Sequence, residues 1–179
     1  MIERILDSWY RATAEDLEAG ADWYPAAKRA ARRISYRTGV PHRRVVRVIA
    51  AVSPRTRWAR NLEVAALVCA GEPVTGVFSR SLERAALAVA GGNNLFDPVT
   101  APKTLHFDAA IWGDDDAVAV DYISGTLALG PEAFKARHLE RVGVYGLVVR
   151  AYRTAARTAG TTPRVMQSTT WGIERGAHH

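Results

Sequence analysis

The stretch that decides the fold is PVTAPKTLHFDAAIWGDDDAVAVD, residues 98–121. Its first part has helical periodicity over about residues 101–112, and a glycine with three aspartates then predicts a turn. The following run AVAV, residues 117–120, is apolar and extended in character, but it is too short to build a sheet. Asp121 comes next and is a natural N-cap for a helix beginning at Tyr122. The stretch therefore predicts two helices joined by an apolar extended step.

Helical periodicity extends over most of the rest of the chain. Apolar residues three and four apart from Ile2 to Leu17 predict a first amphipathic helix, and Gly20 is expected to break it. Pro25 suits the first turn of a second helix, which Gly39 closes in the C′ position. Further helices are predicted over residues 41–52, 58–69, 79–90, 131–137, 139–159 and 163–174.

Length and composition are those of a globular protein. The chain has 179 residues, of which 48% are hydrophobic and 23% charged, with a single cysteine. Together with the helical pattern, this predicts an all-α protein of two helical halves, forming one globular domain over residues 1–176. Residues 177–179 form a tail that resembles a tag remnant. Because Cys69 is alone, an internal disulfide, a cysteine-ligated zinc site and an iron–sulfur cluster are excluded within one chain.

Neither a cofactor nor a membrane attachment is expected. The longest apolar stretches are far shorter than the roughly 18–20 residues that a membrane-spanning helix needs, and residues 1–4 begin an amphipathic pattern rather than a signal peptide. His106 and His138 have no partner at metal-ligand spacing, and the aspartates at 114–116 lack the pattern of a calcium loop. We expect a cytoplasmic protein that binds no metal, and the sequence leaves its oligomeric state open.

Positive charge is concentrated in residues 23–62, which we call the basic segment. It contains eleven cations and no Asp or Glu. Arginine outnumbers lysine 21 to 3 in the whole chain, which suits bidentate contacts to phosphate. The segment therefore predicts a polyanionic partner, with an ordinary solvated face, enriched in arginine by codon bias, as the alternative. The cations are Lys28, Arg29, Arg32, Arg33, Arg37, Arg43, Arg44, Arg47, Arg55, Arg57 and Arg60.

Two potential catalytic groups, an amine and a carboxylate, lie within residues 98–121. Lys103 stands near the start of its first helix, and Asp121 follows eighteen positions later at the start of the second. A turn, an apolar step and a capping aspartate in this order would bring the amine and the carboxylate together. Both residues also have ordinary explanations, Lys103 as a solvated first-turn residue and Asp121 as a plain N-cap.

This order and spacing resemble the helix–hairpin–helix DNA glycosylase superfamily, of which endonuclease III is a familiar member. There, a Leu-Pro-Gly-Val-Gly-x-Lys-Thr-Ala hairpin is followed, at the same lysine-to-aspartate spacing, by an apolar run and Val-Asp. The matching segments here are PVTAPKT, residues 98–104, and VAVD, residues 118–121. VIAAVSPRT, residues 48–56, with Asn61 shortly after, is similar to the superfamily's Leu-Ser-x-Gln-Thr stretch.

A divergent phage branch of this superfamily gives a further resemblance. Short phage proteins related to it carry Ser-Pro-x-x-x-Trp-x-x-Asn and a late Gln-x-x-Thr-Trp. These motifs are similar to SPRTRWARN at residues 53–61 and QSTTW at residues 167–171.

The resemblance implies a fold, a partner and a set of site residues. It implies a cleft between residues around 40–62 and the hairpin and catalytic region, 96–125, with DNA bound there. Asp121 would stabilise charge on the sugar or orient a nucleophile, and Lys103 would form a Schiff base through its amine. Arg55 would fill the gap left by a flipped base. The implied DNA-binding residues are Arg43, Arg47, Arg55, Arg57, Arg60, Trp58, Asn61, Thr100 and Ala101.

Three functions follow from the resemblance. The first is a DNA-binding enzyme that acts on a flipped-out base, by glycosylase-like excision or a related reaction. The second is a phage enzyme that attaches an amino acid or polyamine to a modified pyrimidine in DNA. The third is a non-catalytic DNA-binding module, which the sequence's departures favour: Val99 and Ala101 replace the two hairpin glycines, and Ile123 replaces a histidine usual in the superfamily.

Overall fold

The computed structural model describes residues 1–132 and 143–176, and all regular structure within them is helical. The all-α prediction is therefore confirmed. The helix predicted over 131–137 falls mostly outside the described residues, as does the beginning of the one predicted over 139–159. The helices of the described residues are α1 (Ile2–Tyr10), α2 (Ala14–Thr38), α3 (His42–Val52), α4 (Trp58–Ala70), α5 (Ser79–Ala90), α6 (Pro102–Trp112), α7 (Tyr122–Leu129), α8 (Val144–Ala159) and α9 (Pro163–Gly176).

The predicted helix break at Gly20 is wrong, because α2 runs through both Gly20 and Pro25. The break lies earlier, where α1 ends and Thr13 starts α2. The Thr13 amide and hydroxyl donate to the Asp16 carboxylate (2.9 and 2.7 Å), and the Asp16 amide donates back to the Thr13 hydroxyl (3.1 Å). This reciprocal pair satisfies amides that a helix start leaves unpaired. Its hydrogen bonds hold the pKa of Asp16 below the usual value.

Gly20 has a packing role where it crosses α9. A Cβ atom there would lie 2.0 Å from Thr169 Oγ1 and 2.7 Å from Thr169 Cα, far inside contact distance. The Ser168 hydroxyl donates to the Gly20 carbonyl at 2.7 Å. The glycine therefore allows α2 and α9 to approach closely.

The chain divides into two compact units. The terminal unit comprises residues 1–25 and 113–179, and the central unit comprises residues 26–112. One boundary falls inside α2 and the other follows α6. The core of the terminal unit joins Ile5 of α1 to residues of α8 and α9, including Tyr152 and Met166.

In the central unit, α3 is the buried helix and packs against α4, α5 and α6. All seven of its buried residues lie between Val45 and Val52. A helix that is covered on several sides is apolar over most of its surface. Its three arginines are half-buried and donate to a side chain of α6, to a carbonyl of α5 and to a carbonyl just after α5. Within residues 1–132 and 143–176, no helix combines the length and apolar character needed to cross a membrane.

We predict that Gly20→Ala lowers the free energy of unfolding by about 1–3 kcal/mol, the usual range for overpacking a tight contact. The added methyl group would meet the Thr169 backbone, which cannot move as a side chain can. Chemical denaturation measures the change. Gly172→Ala is the matched control, since a Cβ there meets nothing within 4 Å, and alanine in a helix is favoured over glycine by about 0.5–1 kcal/mol. Equal stability of the two variants would contradict the packing role of Gly20.

Candidate functional site

Asp121 follows an apolar step that is buried in the terminal unit. Residues 117–120 are at most 4% exposed. The Tyr145 hydroxyl donates to the Val118 carbonyl (3.0 Å) and accepts from the Val120 amide (3.1 Å). The Val120 amide also donates to the Val118 carbonyl at 3.0 Å, so the phenol adds a second partner to two buried backbone groups. Among the described residues, no strand lies beside this step.

Both oxygens of the Asp121 carboxylate accept hydrogen bonds. Oδ1 accepts from the amide (3.0 Å) and the hydroxyl (3.2 Å) of Ser124, and Oδ2 accepts from the indole Nε1 of Trp171 (2.9 Å). The predicted N-cap is confirmed, and it places the carboxylate at the positive end of α7. Asp121 is partly exposed. Hydrogen bonds on both oxygens therefore fix the orientation of the carboxylate of this partly exposed residue.

A chain of buried hydrogen bonds runs beneath this carboxylate. The Tyr24 hydroxyl donates to Gln167 Oε1 (2.7 Å), and Gln167 Nε2 donates to Ser124 Oγ (3.3 Å) and to the Ala119 carbonyl (3.4 Å). Tyr24, Ser124 and Gln167 are at most 4% exposed. Because Gln167 donates to the Ser124 oxygen, the Ser124 hydrogen is directed to Asp121.

Three buried tyrosines lie in or next to this chain of hydrogen bonds. Burial raises the pKa of Tyr24, Tyr145 and Tyr152 well above the usual value of 10.0, and the charge of Asp121 adds to the rise. Hydrogen bonds offset part of it at Tyr145 and Tyr152. The phenols therefore act as neutral hydrogen-bonding groups over the range in which most proteins are folded.

Trp171 bonds the carboxylate, and Trp23 and Arg175 lie against the Trp171 ring; we call these three residues the indole patch. The two indole rings meet edge to face, with centroids 6.3 Å apart and planes at 64°. The Arg175 guanidinium carbon lies 4.9 Å from the Trp171 ring centroid. Both tryptophans are half-buried. The patch combines aromatic surface with a cation, and the Trp171 indole connects it to Asp121.

Ser124, Gln167 and Trp171 are absent from the predicted site residues, although the structure groups them around Asp121. A signal for two of them is present in QSTTW, residues 167–171. Gln167 and Trp171 are four positions apart, which puts them on one face of a helix. The link to Ser124 could not be predicted, because it depends on the packing of α7 against α9.

Lys103, the second predicted catalytic residue, is an exposed residue of α6. It belongs to the central unit, whereas Asp121 belongs to the terminal unit. The predicted meeting of amine and carboxylate therefore stays a prediction.

The implied DNA-binding residues Thr100 and Ala101 lie at a turn that is capped by the Asp97 carboxylate. Asp97 Oδ1 accepts from the amides of Val99 (2.9 Å) and Thr100 (2.7 Å), and the Ala101 amide donates to the Asp97 carbonyl (2.9 Å). The backbone hydrogen bonds hold the pKa of Asp97 below its usual value. Neither Val99 nor Ala101 has a positive φ, which is why non-glycine residues fit there. A phosphate can bind the Thr100 amide only by displacing the Asp97 carboxylate.

Arg43, a predicted DNA-binding residue, pairs with Asp108 of α6. Both terminal nitrogens of its guanidinium donate to the two carboxylate oxygens. Asp108 is 5% exposed, so this carboxylate depends on Arg43 for its pairing. The guanidinium also lies over the Trp112 ring, 5.1 Å from the centroid. Arg43 therefore has a structural role within the central unit.

Arg47 and Arg60 also bond within the central unit. Arg47 donates to the Gly92 carbonyl (3.2 Å), which follows the end of α5. Arg60 donates to the Thr75 carbonyl (2.9 Å) and pairs with Glu63 (2.7 Å). A cation stabilises the carbonyl groups that it contacts in a loop or at a helix end. Both arginines therefore stabilise the segments to which they bond.

Arg55 and Arg57 are exposed in the turn between α3 and α4. Arg55 has φ +56°, in the left-handed region, which costs a non-glycine residue about 1–2 kcal/mol. Its guanidinium carbon lies 5.7 Å from the Phe78 ring centroid. Arg57 is the residue that precedes α4. These two predicted DNA-binding arginines are the ones presented to solvent.

Trp58 and Asn61 differ in accessibility. Trp58 is half-buried at the start of α4. Asn61 is 1% exposed, and its Nδ2 donates to the Ile49 carbonyl at 3.1 Å. This bond ties α4 to α3, so Asn61 has a structural role in the central unit.

A groove of about 480 Å³ lies elsewhere in the central unit, between α2 and α4. Ile34, Leu62 and Leu67 form part of its apolar floor, and Arg33 and Arg37 lie at its edge. None of the predicted site residues lines it. In the described part of the chain, no three His, Cys, Asp or Glu side chains are grouped to hold a metal ion.

The fold and the site define an all-helical protein with an oriented carboxylate at a helix N-terminus. The chain belongs to DUF7178, a family of unknown function, whose model matches residues 1–178. No curated protein and no solved structure matches the chain significantly.

We predict that the protein unfolds in alkali as the pH rises above about 10, the ordinary tyrosine pKa. The folded state keeps Tyr24, Tyr145 and Tyr152 protonated, while the unfolded state releases those protons first. The stability due to neutral phenols is complete below that pH and is then lost by up to about 1.4 kcal/mol per unit for each group. Tyr10, Tyr36 and Tyr122 are exposed and contribute tyrosinate absorbance without unfolding, so the further absorbance from the three buried phenols should change together with circular dichroism. Titration of these three phenols near pH 10 with the helices intact would contradict their burial.

Proposed function

We propose that this protein is a DNA-binding enzyme that acts on a base extruded from the duplex, with Asp121 as its catalytic carboxylate. The observation that carries the proposal is the fixed orientation of the carboxylate of a partly exposed residue by Ser124 and Trp171 at the start of α7. Preorganised charge of this kind stabilises charge that develops in a transition state. The order of hairpin, apolar step and aspartate supports a likeness to the DNA glycosylase superfamily.

The chemistry proposed for Asp121 is cleavage of an N-glycosidic bond. As the bond between base and sugar breaks, positive charge develops on the sugar, and a nearby carboxylate lowers its free energy. The same carboxylate can accept a proton from water or an amine that attacks C1′. Lys103 is proposed as the amine in a bifunctional reaction. In the same proposal, the two units correspond to the two helical halves of the superfamily.

The proposed DNA contacts come first from Arg55 and Arg57. Both are exposed, and the surrounding basic segment carries no acidic residue. The left-handed backbone of Arg55 presents a polar side chain at the tip of a turn, which suits insertion into a duplex from which a base has been turned out.

A non-catalytic DNA-binding module is the second candidate. The observation that favours it is the bonding of the Val99 and Thr100 amides to Asp97. An enzyme of this superfamily would offer such amides to the DNA backbone. Such a module would retain the DNA-binding arginines but would not catalyse a reaction.

We predict that Asp121→Asn abolishes activity on damaged DNA, lowering the rate by at least about 100-fold. Asparagine caps a helix about as well as aspartate, so the fold should persist while the negative charge is lost. Duplexes with uracil, hydroxymethyluracil, thymine glycol or an abasic site are incubated with the protein and treated with alkali, and strand breaks are counted. Asp16→Asn is the matched control, because Asp16 also bonds the backbone at a helix start.

The other outcomes of this assay separate the candidates. DNA of shifted mass without breaks indicates transfer of an amino acid or polyamine to a base. Tight binding without either product indicates the module and rejects the enzyme. Breaks that persist in Asp121→Asn reject its catalytic role, and absence of a borohydride-trapped adduct on abasic DNA rejects the Schiff-base role of Lys103.

We predict that DNA binding weakens steeply with salt and that Arg57→Ala flattens the dependence. Each phosphate contact contributes close to one unit to the slope of log affinity against log salt concentration, so the variant should lower the slope by about one. Arg43→Ala should differ: it leaves Asp108 unpaired and lowers the free energy of unfolding by about 3 kcal/mol. DNA binding measured at several salt concentrations detects the effect of Arg57→Ala, and chemical denaturation detects the effect of Arg43→Ala. A slope unchanged by Arg57→Ala removes Arg57 from the interface.

A further inference from the structure

The Trp171 ring is held in a fixed plane beside Asp121. Its Nε1 donates to Asp121 Oδ2 at 2.9 Å, which ties down one edge of the indole. Trp23 contacts it edge to face. With its edge engaged by the carboxylate, Trp171 offers its ring face for stacking, and a flat group on that face would lie alongside Asp121.

In the free protein, a flat cation already occupies that position. The Arg175 guanidinium carbon lies 4.9 Å from the Trp171 ring centroid. A guanidinium is planar and delocalised, and it stacks on aromatic faces much as a nucleobase does. Arg175 itself is an exposed residue in the last turn of α9, so its side chain can leave without disturbing the core.

We propose that Trp171 is the stacking face for an extruded nucleobase and that Arg175 covers this face until the base displaces it. This inference rests on the proposed function and identifies the contact that would hold the base next to Asp121.

The relative strengths of the two contacts allow this exchange. An exposed cation–π contact favours the covered state by a factor of about two to five. Stacking of a base on an aromatic side chain strengthens binding by a factor of about five to 150. The base therefore replaces the arginine with a net gain in affinity.

The test compares two duplexes that differ in one position, where one has a mismatched pyrimidine. A mismatched base is the least costly to extrude. Fluorescence anisotropy at fixed salt gives Kd for both duplexes with the full chain, and their ratio is the selectivity for the mismatch. Trp171→Leu should lower that selectivity by about five-fold or more, whereas Trp171→Phe, which keeps a ring, should retain most of it. Circular dichroism confirms that each variant is folded.

Arg175→Ala should change the selectivity for the mismatch in the opposite direction to Trp171→Leu. Removing the cover should raise the selectivity for the mismatch by about two- to five-fold. Arg157→Ala is the matched control, since Arg157 is an exposed arginine in the last turn of α8. It should change the affinity for both duplexes equally. Any of three outcomes overturns the inference. The wild type shows no selectivity for the mismatch, or the selectivity survives Trp171→Leu. The third outcome is that Arg175→Ala changes the selectivity no more than Arg157→Ala does.

This inference and the proposed function can fail separately. Mismatch selectivity that depends on Trp171, without reaction at any damaged base, supports the stacking face and rejects the enzyme. Reaction that requires Asp121, with selectivity indifferent to Trp171, supports the enzyme and rejects the stacking face.

Discussion

The pairing of buried polar groups is the constraint on which the terminal unit depends. Gln167 is almost fully buried and bonds Tyr24, Ser124 and the Ala119 carbonyl. Each partner in turn supports the segment around Asp121, so removing one leaves another polar group unpaired in the core, at a cost of about 1–3 kcal/mol. The orientation of the carboxylate is thus a consequence of core pairing.

The central unit uses part of its charge internally. Arg43 and Arg47 lie on the buried helix α3, where they bind Asp108 and the Gly92 carbonyl. Desolvated cations need such partners. The basic segment is therefore divided by structure: arginines on α3 hold neighbouring elements together, while Arg55 and Arg57 in the following turn face solvent. A count of positive charges alone overstates the surface offered to a polyanion.

Local signals in the sequence predicted the elements well where local energetics decide them. Gly39 has φ +72°, as its predicted C′ position requires, and the helix predicted over residues 79–90 is α5. The N-cap role of Asp121 was also predicted from its neighbours. Gly20 was misjudged because its role depends on α9, whose Ser168 is 148 positions away. Asp121 is among the predicted site residues, whereas Ser124, Gln167 and Trp171 are not, since the contacts that group them around it depend on tertiary packing.

The terminal unit combines residues 1–25 with residues from 113 onward. This arrangement affects how the unit folds during synthesis on the ribosome. Ile5 of α1 belongs to the same core as Met166 of α9, so that core cannot close until α9 has emerged. The central unit, residues 26–112, is contiguous and can fold earlier, because domains assemble as their residues emerge. Until α9 emerges, the apolar side of α1 is without its native cover.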